Sequence, residues 1–222
     1  MTSQHIPDPA RILLVNKPLE WTSFDVVNKL RYKLKLRKIG HAGTLDPLAT
    51  GLLILCTGKM TKQIETFQAQ EKEYTGTFVI GKTTPSFDLE TEVDFENDID
   101  HITEEAIHSA IHKFIGDIEQ IPPVFSAVKI DGKRAYKSAR KGEDVKMRPR
   151  QVVIPEFEIT GIDLPNVHFR IVCSKGTYIR SIARDFGEAL GVGAYLSVLC
   201  RTRIGEYLLK DAKEIEEIEI LE

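Results

Sequence analysis

The chain has 222 residues, a formal net charge of -3 and a hydrophobic share of 42%, which suits one globular domain with a real core. No apolar run approaches bilayer-spanning length, and residues 1–10 are polar and Pro-containing, unlike a signal peptide. The three cysteines, Cys56, Cys173 and Cys200, are scattered and form no CxxC pair, which excludes a disulfide framework or a cysteine zinc site and places the chain in a reducing, cytoplasmic setting.

In chain order, Ile12–Val15 is a short apolar run ending at Asn16-Lys17-Pro18, read as a strand and a turn. Thr22 or Ser23 then caps a helix, with Asp25 as capping-box partner of Thr22 and Val27, Leu30 and Leu34 at helical spacing. From Lys29 to Lys38 the chain reads KLRYKLKLRK, a basic run that fits a solvated helix face as well as a nucleic-acid contact. Next comes Gly40-His41-Ala42-Gly43-Thr44-Leu45-Asp46-Pro47-Leu48-Ala49-Thr50-Gly51. It carries one carboxylate between a Gly-rich approach and a Pro-containing exit. Asp, Gly and Pro are also ordinary turn residues, so local chemistry alone does not separate a turn from a site.

Leu52–Cys56 reads as a buried strand, and Glu73–Ile80 as a second strand ending at Gly81. Thr103 opens an amphipathic helix whose apolar face runs from Ala106 to Ile115, with Gly116 as its stop. His108 and His112 lie four apart on it without an acidic or cysteine companion, so they read as surface residues. Pro122-Pro123 leads into a polar stretch, Phe125 to Arg150, that is too long for a plain connection. Between Lys129 and Arg150 it holds nine cations against three acids. Acids concentrate instead in 88–100 and 211–222, and such segregation gives a basic face on a mildly acidic protein. Val167–Cys173 alternates as a strand, and Tyr178–Leu190 forms a helix with Arg180, Arg184 and Asp185 as its polar positions. Ile204–Leu208 is a last strand, and Ala212–Glu222 a short acidic helix anchored by Ile215, Ile218 and Leu221.

Several of these islands together resemble the TruB-type tRNA pseudouridine synthases. They are Asn16-Lys17-Pro18, the His41–Gly51 run, Lys72-Glu73-Tyr74, Pro122-Pro123 with Ser126-Ala127-Val128-Lys129, Gly132, Arg134 and Tyr136, and Ser174 through Asp185. They lie in family order between about Ile12 and Tyr207. The resemblance implies an α+β pseudouridine synthase catalytic fold with a mixed, mostly antiparallel central sheet flanked by helices. It implies one catalytic domain over 1–222, a basic RNA-clamping insertion at about 124–152 and a short acidic tail at about 209–222. The separate C-terminal RNA-binding domain of many relatives is not expected.

The implied reaction cleaves the bond between ribose and uracil N1, turns the base and joins carbon 5 to the sugar. No atom is gained or lost, so neither cofactor nor metal is expected. Asp46 is matched to the reacting carboxylate, as nucleophile or base. Its first target, ribose C1′, base C6 or a sugar proton, stays open. Arg180 matches the position that pairs with the catalytic Asp, where a guanidinium stays charged when buried. Tyr74 matches the ring against the target uracil, Tyr178 a second active-site aromatic, and Leu199 an apolar wall. A base inside a folded RNA loop has to be extruded to reach such a pocket, and His41 matches the residue facing the vacated loop. Lys17, Lys59 and Lys129 are expected phosphate contacts, with Arg134 and Arg140 on the clamp.

The implied substrate is the T-arm loop of tRNA at position 55, with no membrane, no obligatory protein partner and a monomeric chain. Two other readings are a catalytically silent RNA-binding or tRNA-folding module and a guide-RNA-dependent relative. One departure stands out: where the family commonly shows Thr-Asp-Thr after Gly81, this chain reads Thr83-Thr84-Pro85-Ser86, with Asp88 beyond it. Asp88 is therefore left outside the catalytic set as possible support.

Overall fold

A computed structural model of the protein describes residues 8–126, 129–130, 133–135 and 146–219; for 129–130 and 133–134 the description is of the backbone. The chain divides into two compact units, Met1–Tyr74 with Leu199–Glu222, and Thr75–Val198.

In chain order the elements are β1 (Ile12–Lys17), α1 (Ser23–Lys33), β2 (Ile39–His41), β3 (Ala49–Thr57), α2 (Ile64–Ala69), β4 (Lys72–Ile80), β5 (Lys82–Thr83), β6 (Phe95–Glu96), α3 (Glu104–Ile111), β7 (Gly116–Gln120), β8 (Lys129–Ile130), β9 (Lys133–Arg134), β10 (Arg150–Ile154), β11 (Glu156–Asp163), β12 (Asn166–Cys173), α4 (Ile179–Leu190), β13 (Ala194–Ile204) and β14 (Tyr207–Leu208). The central sheet is mixed and mostly antiparallel, as expected, in the order β1-β3-β13-β4-β12-β11.

In the first unit β1 and β2 lie antiparallel to β3, and β13 runs parallel to it. The Leu52–Cys56 run is continuous because both faces of β3 are covered. Leu53 and Leu55 enter one core with Val15, Val26, Leu30 and Ile39. Leu52, Ile54 and Cys56 enter another with Phe67 and Ile204. Strand periodicity of two assigns alternate residues to the two cores. The expected capping box is present: Thr22 Oγ1 accepts from the Asp25 amide at 3.0 Å, and Asp25 accepts from the Thr22 amide at 2.9 Å.

The second unit carries an aromatic core. Phe78 stacks on Phe169 with centroids 4.1 Å apart and meets Phe186 at 5.5 Å and Phe157 at 6.4 Å. β11 and β12 form an antiparallel hairpin, and β10 pairs antiparallel with β7.

Three sequence expectations are corrected. The helix opened by Thr103 ends at Ile111 and closes in a 3-10 turn over His112–Phe114. Ile115, expected on its apolar face, is exposed. The tail is not an α-helix: Leu209–Asp211 and Ile215–Glu217 are 3-10 turns. The backbone between them lies along β1, with Asn16 N–H donating to Lys213 O at 2.9 Å and Lys213 N–H to Leu14 O at 3.0 Å. Anchors Ile215 and Ile218 are buried as expected; Leu221 lies outside the described residues. The last strand is longer than Ile204–Leu208: β13 begins at Ala194 and turns into β14.

Candidate active site

The loop between β2 and β3 carries Asp46 and is fixed at each bend. Ala42 N–H donates to Ile54 O at 2.8 Å, and Ala49 N–H donates to Asp46 O at 3.1 Å. Ser23, at the start of α1, accepts from the Leu45 amide at 2.9 Å and returns its hydroxyl to Leu45 O at 3.2 Å. Leu45 is buried and Asp46 half-buried, so the apolar neighbour roots the loop beside a residue that keeps partial exposure.

Two buried cations underlie this loop. Lys17 is fully buried, and its Nζ donates to Trp21 O at 2.6 Å, Pro18 O at 2.8 Å and Pro47 O at 3.3 Å. The sequence reading placed Lys17 against RNA phosphate; its ammonium instead turns inward and its donors are taken by carbonyls. Burial pulls its pKa from 10.5 down to about 8, against the opposing charge of Asp46 and together with that of Arg201. Arg201, on β13, is also buried. Its Nε donates to Leu52 O at 2.8 Å, and its terminal nitrogens to Gly43 O at 3.1 Å and Thr44 O at 3.5 Å. His41 is half-buried, and its pKa is lowered first by desolvation and then by the Arg201 charge.

Tyr74 on β4 and Leu199 on β13 are both buried. Leu199 sits opposite Ala49 in the parallel register of β13 and β3, so the expected apolar wall borders the strand that leaves the Asp46 loop. Lys59 is exposed in the 3-10 turn Gly58–Gln63.

In the second unit Arg180 lies on the first turn of α4. It is buried rather than on an outer polar face. Its Nε stands 3.4 Å from Asp88 Oδ2, and its terminal nitrogens donate to Phe125 O at 3.0 Å and Ser86 O at 3.3 Å. Asp88 is buried too, and it accepts from the Glu90 amide at 2.9 Å. Tyr178, the N-cap of α4, is held through its backbone by the buried Gln120. Its N–H donates to Gln120 Oε1 at 2.8 Å, and Gln120 Nε2 donates to Tyr178 O at 3.1 Å. The Arg150 guanidinium lies 4.6 Å from the centre of the Tyr178 ring, a cation–π distance.

The chain matches the family described as TruB family pseudouridylate synthase (N terminal domain) over residues 31–179. The tRNA pseudouridine synthase B of Flavobacterium johnsoniae is 57% identical over 212 residues, covering 92% of this chain and 93% of that protein. The tRNA pseudouridine synthase B of Parabacteroides distasonis is 58% identical over 214 residues, covering 94% and 91%. The chain belongs to the TruB family. Among solved structures, a chain of a Cbf5-Nop10-Gar1 complex aligns with TM-score 0.74 at 30% identity over 93% of this chain, which spans about half (52%) of that longer chain. A chain of an H/ACA RNP bound to a substrate RNA containing 2'-deoxyuridine aligns with TM-score 0.70 at 26% identity, and this chain spans 51% of it.

Within this TruB-family chain the structure gathers Asp46, Lys17, His41 and Leu199 around the β2–β3 loop and β3. Tyr178 and Arg180 sit together at the start of α4. The side chains of Lys129 and Arg134, and all of Arg140, lie outside the described residues. Sequence reasoning missed Arg201 as a holder of the Asp46 loop and Gln120 as a holder of the Tyr178 backbone, and it left Asp88 outside the set although it faces Arg180. Each is a polar residue buried against backbone or an opposite charge, and a single sequence shows the polar side chain without its burial. Among the described residues no helix is long and apolar enough to cross a membrane, and no group of three His, Cys, Asp or Glu could hold a metal ion.

Proposed function

We propose that the protein converts uridine to pseudouridine in the T-arm loop of tRNA, at position 55, with Asp46 as the reacting carboxylate. Membership of the TruB family, with relatives named tRNA pseudouridine synthase B at 57–58% identity over more than nine-tenths of the chain, carries the reaction class and the tRNA substrate. The observation supporting the site is the Asp46 loop itself: a half-buried carboxylate on a segment whose flanking carbonyls are held by buried donors. A catalytic group held in one geometry has little ordering left to lose when substrate arrives.

The uridine is extruded from its loop, and Asp46 acts on it as nucleophile or base. Tyr74 stacks on the flipped uracil, a contact of ~1–3 kcal/mol. Arg180, matched by the resemblance to the position that serves the catalytic carboxylate, is oriented here by Asp88; Tyr178 is the second aromatic, Leu199 supplies an apolar wall and His41 faces the vacated loop. Lys59, Lys129, Arg134 and Arg140 take phosphates, the last three from the insertion at about 124–152. We read residues 1–222 as one catalytic domain, monomeric, cytoplasmic and independent of guide RNA or protein partners.

The test is incubation of purified protein with an unmodified tRNA transcript, followed by pseudouridine mapping. The expected result is product at position 55 without guide or cofactor, and none with Asp46→Asn, which still binds tRNA within about tenfold, ~1.4 kcal/mol. Product elsewhere refutes the T-arm assignment, a requirement for added RNA or protein supports the guide-dependent reading, and normal turnover by Asp46→Asn removes that residue from the reaction.

A further inference from the structure

Arg201 presents an unexplained arrangement: a guanidinium almost wholly withdrawn from water whose hydrogen bonds all go to neutral backbone oxygens. No ion pair involving it occurs among the described residues. Burying a charge on these terms costs several kcal/mol, so a fold that needed only packing here is better served by an apolar side chain. The three oxygens identify what the charge holds. Gly43 and Thr44 lie just before Asp46 in the loop, and Leu52 lies on β3 after it. Arg201 therefore ties the ascending end of the Asp46 loop to the strand that carries the descending end. Its backbone is fixed to the same strand by the parallel register Leu199↔Ala49, Cys200↔Thr50 and Arg201↔Gly51.

The planar fork explains why arginine fits this place. Nε and the two terminal nitrogens reach three carbonyls at once. A lysine reaches fewer in a fixed direction, and a glutamine lacks the span and the charge that strengthens each bond. Gly43 itself sits at φ +95°, a conformation that favours glycine, while a Cβ there would make only ordinary contact with Arg201 Nη1 at 3.6 Å.

We infer that Arg201 is a positioning residue of the catalytic centre, holding the Asp46 loop in its reactive geometry through the carbonyls of Gly43, Thr44 and Leu52 before RNA binds. It acts through the backbone and touches no reacting atom. The inference rests on Asp46 being the reacting carboxylate, and the experiment separates the two.

Arg201→Lys, Arg201→Gln and Arg201→Met are compared with the parent on unmodified tRNA transcript. Single-turnover rate, tRNA Kd and hydrogen exchange of the Leu45 amide are measured, each on protein shown to be folded. A positioning role lowers the rate at saturating tRNA by at least about 30-fold in Gln and Met. Lys lies between these and the parent, Kd stays within about threefold, and the Leu45 amide exchanges at least about tenfold faster while β1 amides hold their protection. A rate within threefold of the parent in Arg201→Gln overturns the inference. So does a parallel rise in Kd that accounts for the loss, or unchanged Leu45 exchange. If the Met and Gln variants do not fold, Arg201→Lys alone decides on the same three readouts. Loss of Leu45 protection together with normal turnover by Asp46→Asn refutes the assignment of Asp46 while leaving Arg201 as the clamp of its loop.

Discussion

The two units each bury an arginine beside a segment assigned to catalysis, and they satisfy it in opposite ways. In the second unit Arg180 faces a buried carboxylate, Asp88, as well as two carbonyls. In the first unit Arg201, and beside it Lys17, donate among the described residues only to carbonyls. A cation paired with a carboxylate is neutral as a unit, and its partner fixes where it points. A cation caged by carbonyls keeps its net charge and imposes order on the backbone around it. The second arrangement surrounds the loop that carries Asp46, where geometry and positive potential are both useful to a reacting carboxylate; the first suits an arginine whose own direction matters.

The sharpest way to break this contrast is to remove Asp88. Asp88→Ala removes the buried carboxylate that faces Arg180 and is expected to cost about 3–5 kcal/mol in urea unfolding. Replacing both partners by apolar residues, Asp88→Leu with Arg180→Met, recovers most of that stability while abolishing turnover. A loss below about 1 kcal/mol for Asp88→Ala would mean that Arg180 does not depend on Asp88, and the contrast with Arg201 would fail. Gly51→Ala probes the other side. Gly51 has φ +101°, and a Cβ there would meet the Arg201 backbone nitrogen at 2.7 Å and its carbonyl oxygen closer still. Strain and overpacking together make this about 2–4 kcal/mol, because β3 and β13 have to separate.

What the sequence disclosed follows the same division. The Leu52–Cys56 strand and the Thr22–Asp25 capping box were legible because both are local signals, a short apolar run and a three-residue reciprocal bond. The tail was misread because Ile215 and Ile218 are three apart, a spacing that serves one turn of a 3-10 helix as well as an α-helix. Most of β13 was missed because its sequence mixes Ser197, Cys200, Arg201 and Arg203 among apolar residues, which blurs the alternation of a half-buried strand. Asp46, Tyr74 and Arg180 were proposed through family resemblance. Arg201, Gln120 and the pairing of Asp88 depend on contacts across long stretches of chain, and residue type alone points such side chains toward solvent.

Gln120 gives a smaller test of the second unit. Gln120→Ala removes both hydrogen bonds to the Tyr178 backbone and leaves its buried groups unmet, an expected cost of about 1–3 kcal/mol in unfolding. Single-turnover rate should fall more than tRNA affinity, since Tyr178 is displaced while the phosphate contacts remain. Equal losses in both would assign Gln120 to RNA binding.

Lys17 separates the two kinds of cage by titration, because an arginine does not lose its proton and this lysine does. Burial sets its native pKa near 8, below the ordinary 10.5. Below pH 8 the ammonium is charged in both folded and unfolded chains, and its desolvation weighs against folding. Between about 8 and 10.5 the native chain releases the proton and the unfolded chain retains it. The unfolded state then binds more protons, so this residue's contribution to stability rises with pH, by up to ~1.4 kcal/mol per unit. Above 10.5 both forms are neutral and the effect levels off. Lys17→Met keeps the length of the side chain and removes the titration. The stability difference between parent and variant, from urea midpoints at pH 7, 8.5 and 10, should therefore shift in favour of the parent as pH rises, with the other lysines and tyrosines cancelling. A flat difference would place the Lys17 proton outside this window and make the ammonium as permanent a charge under the Asp46 loop as the guanidinium of Arg201.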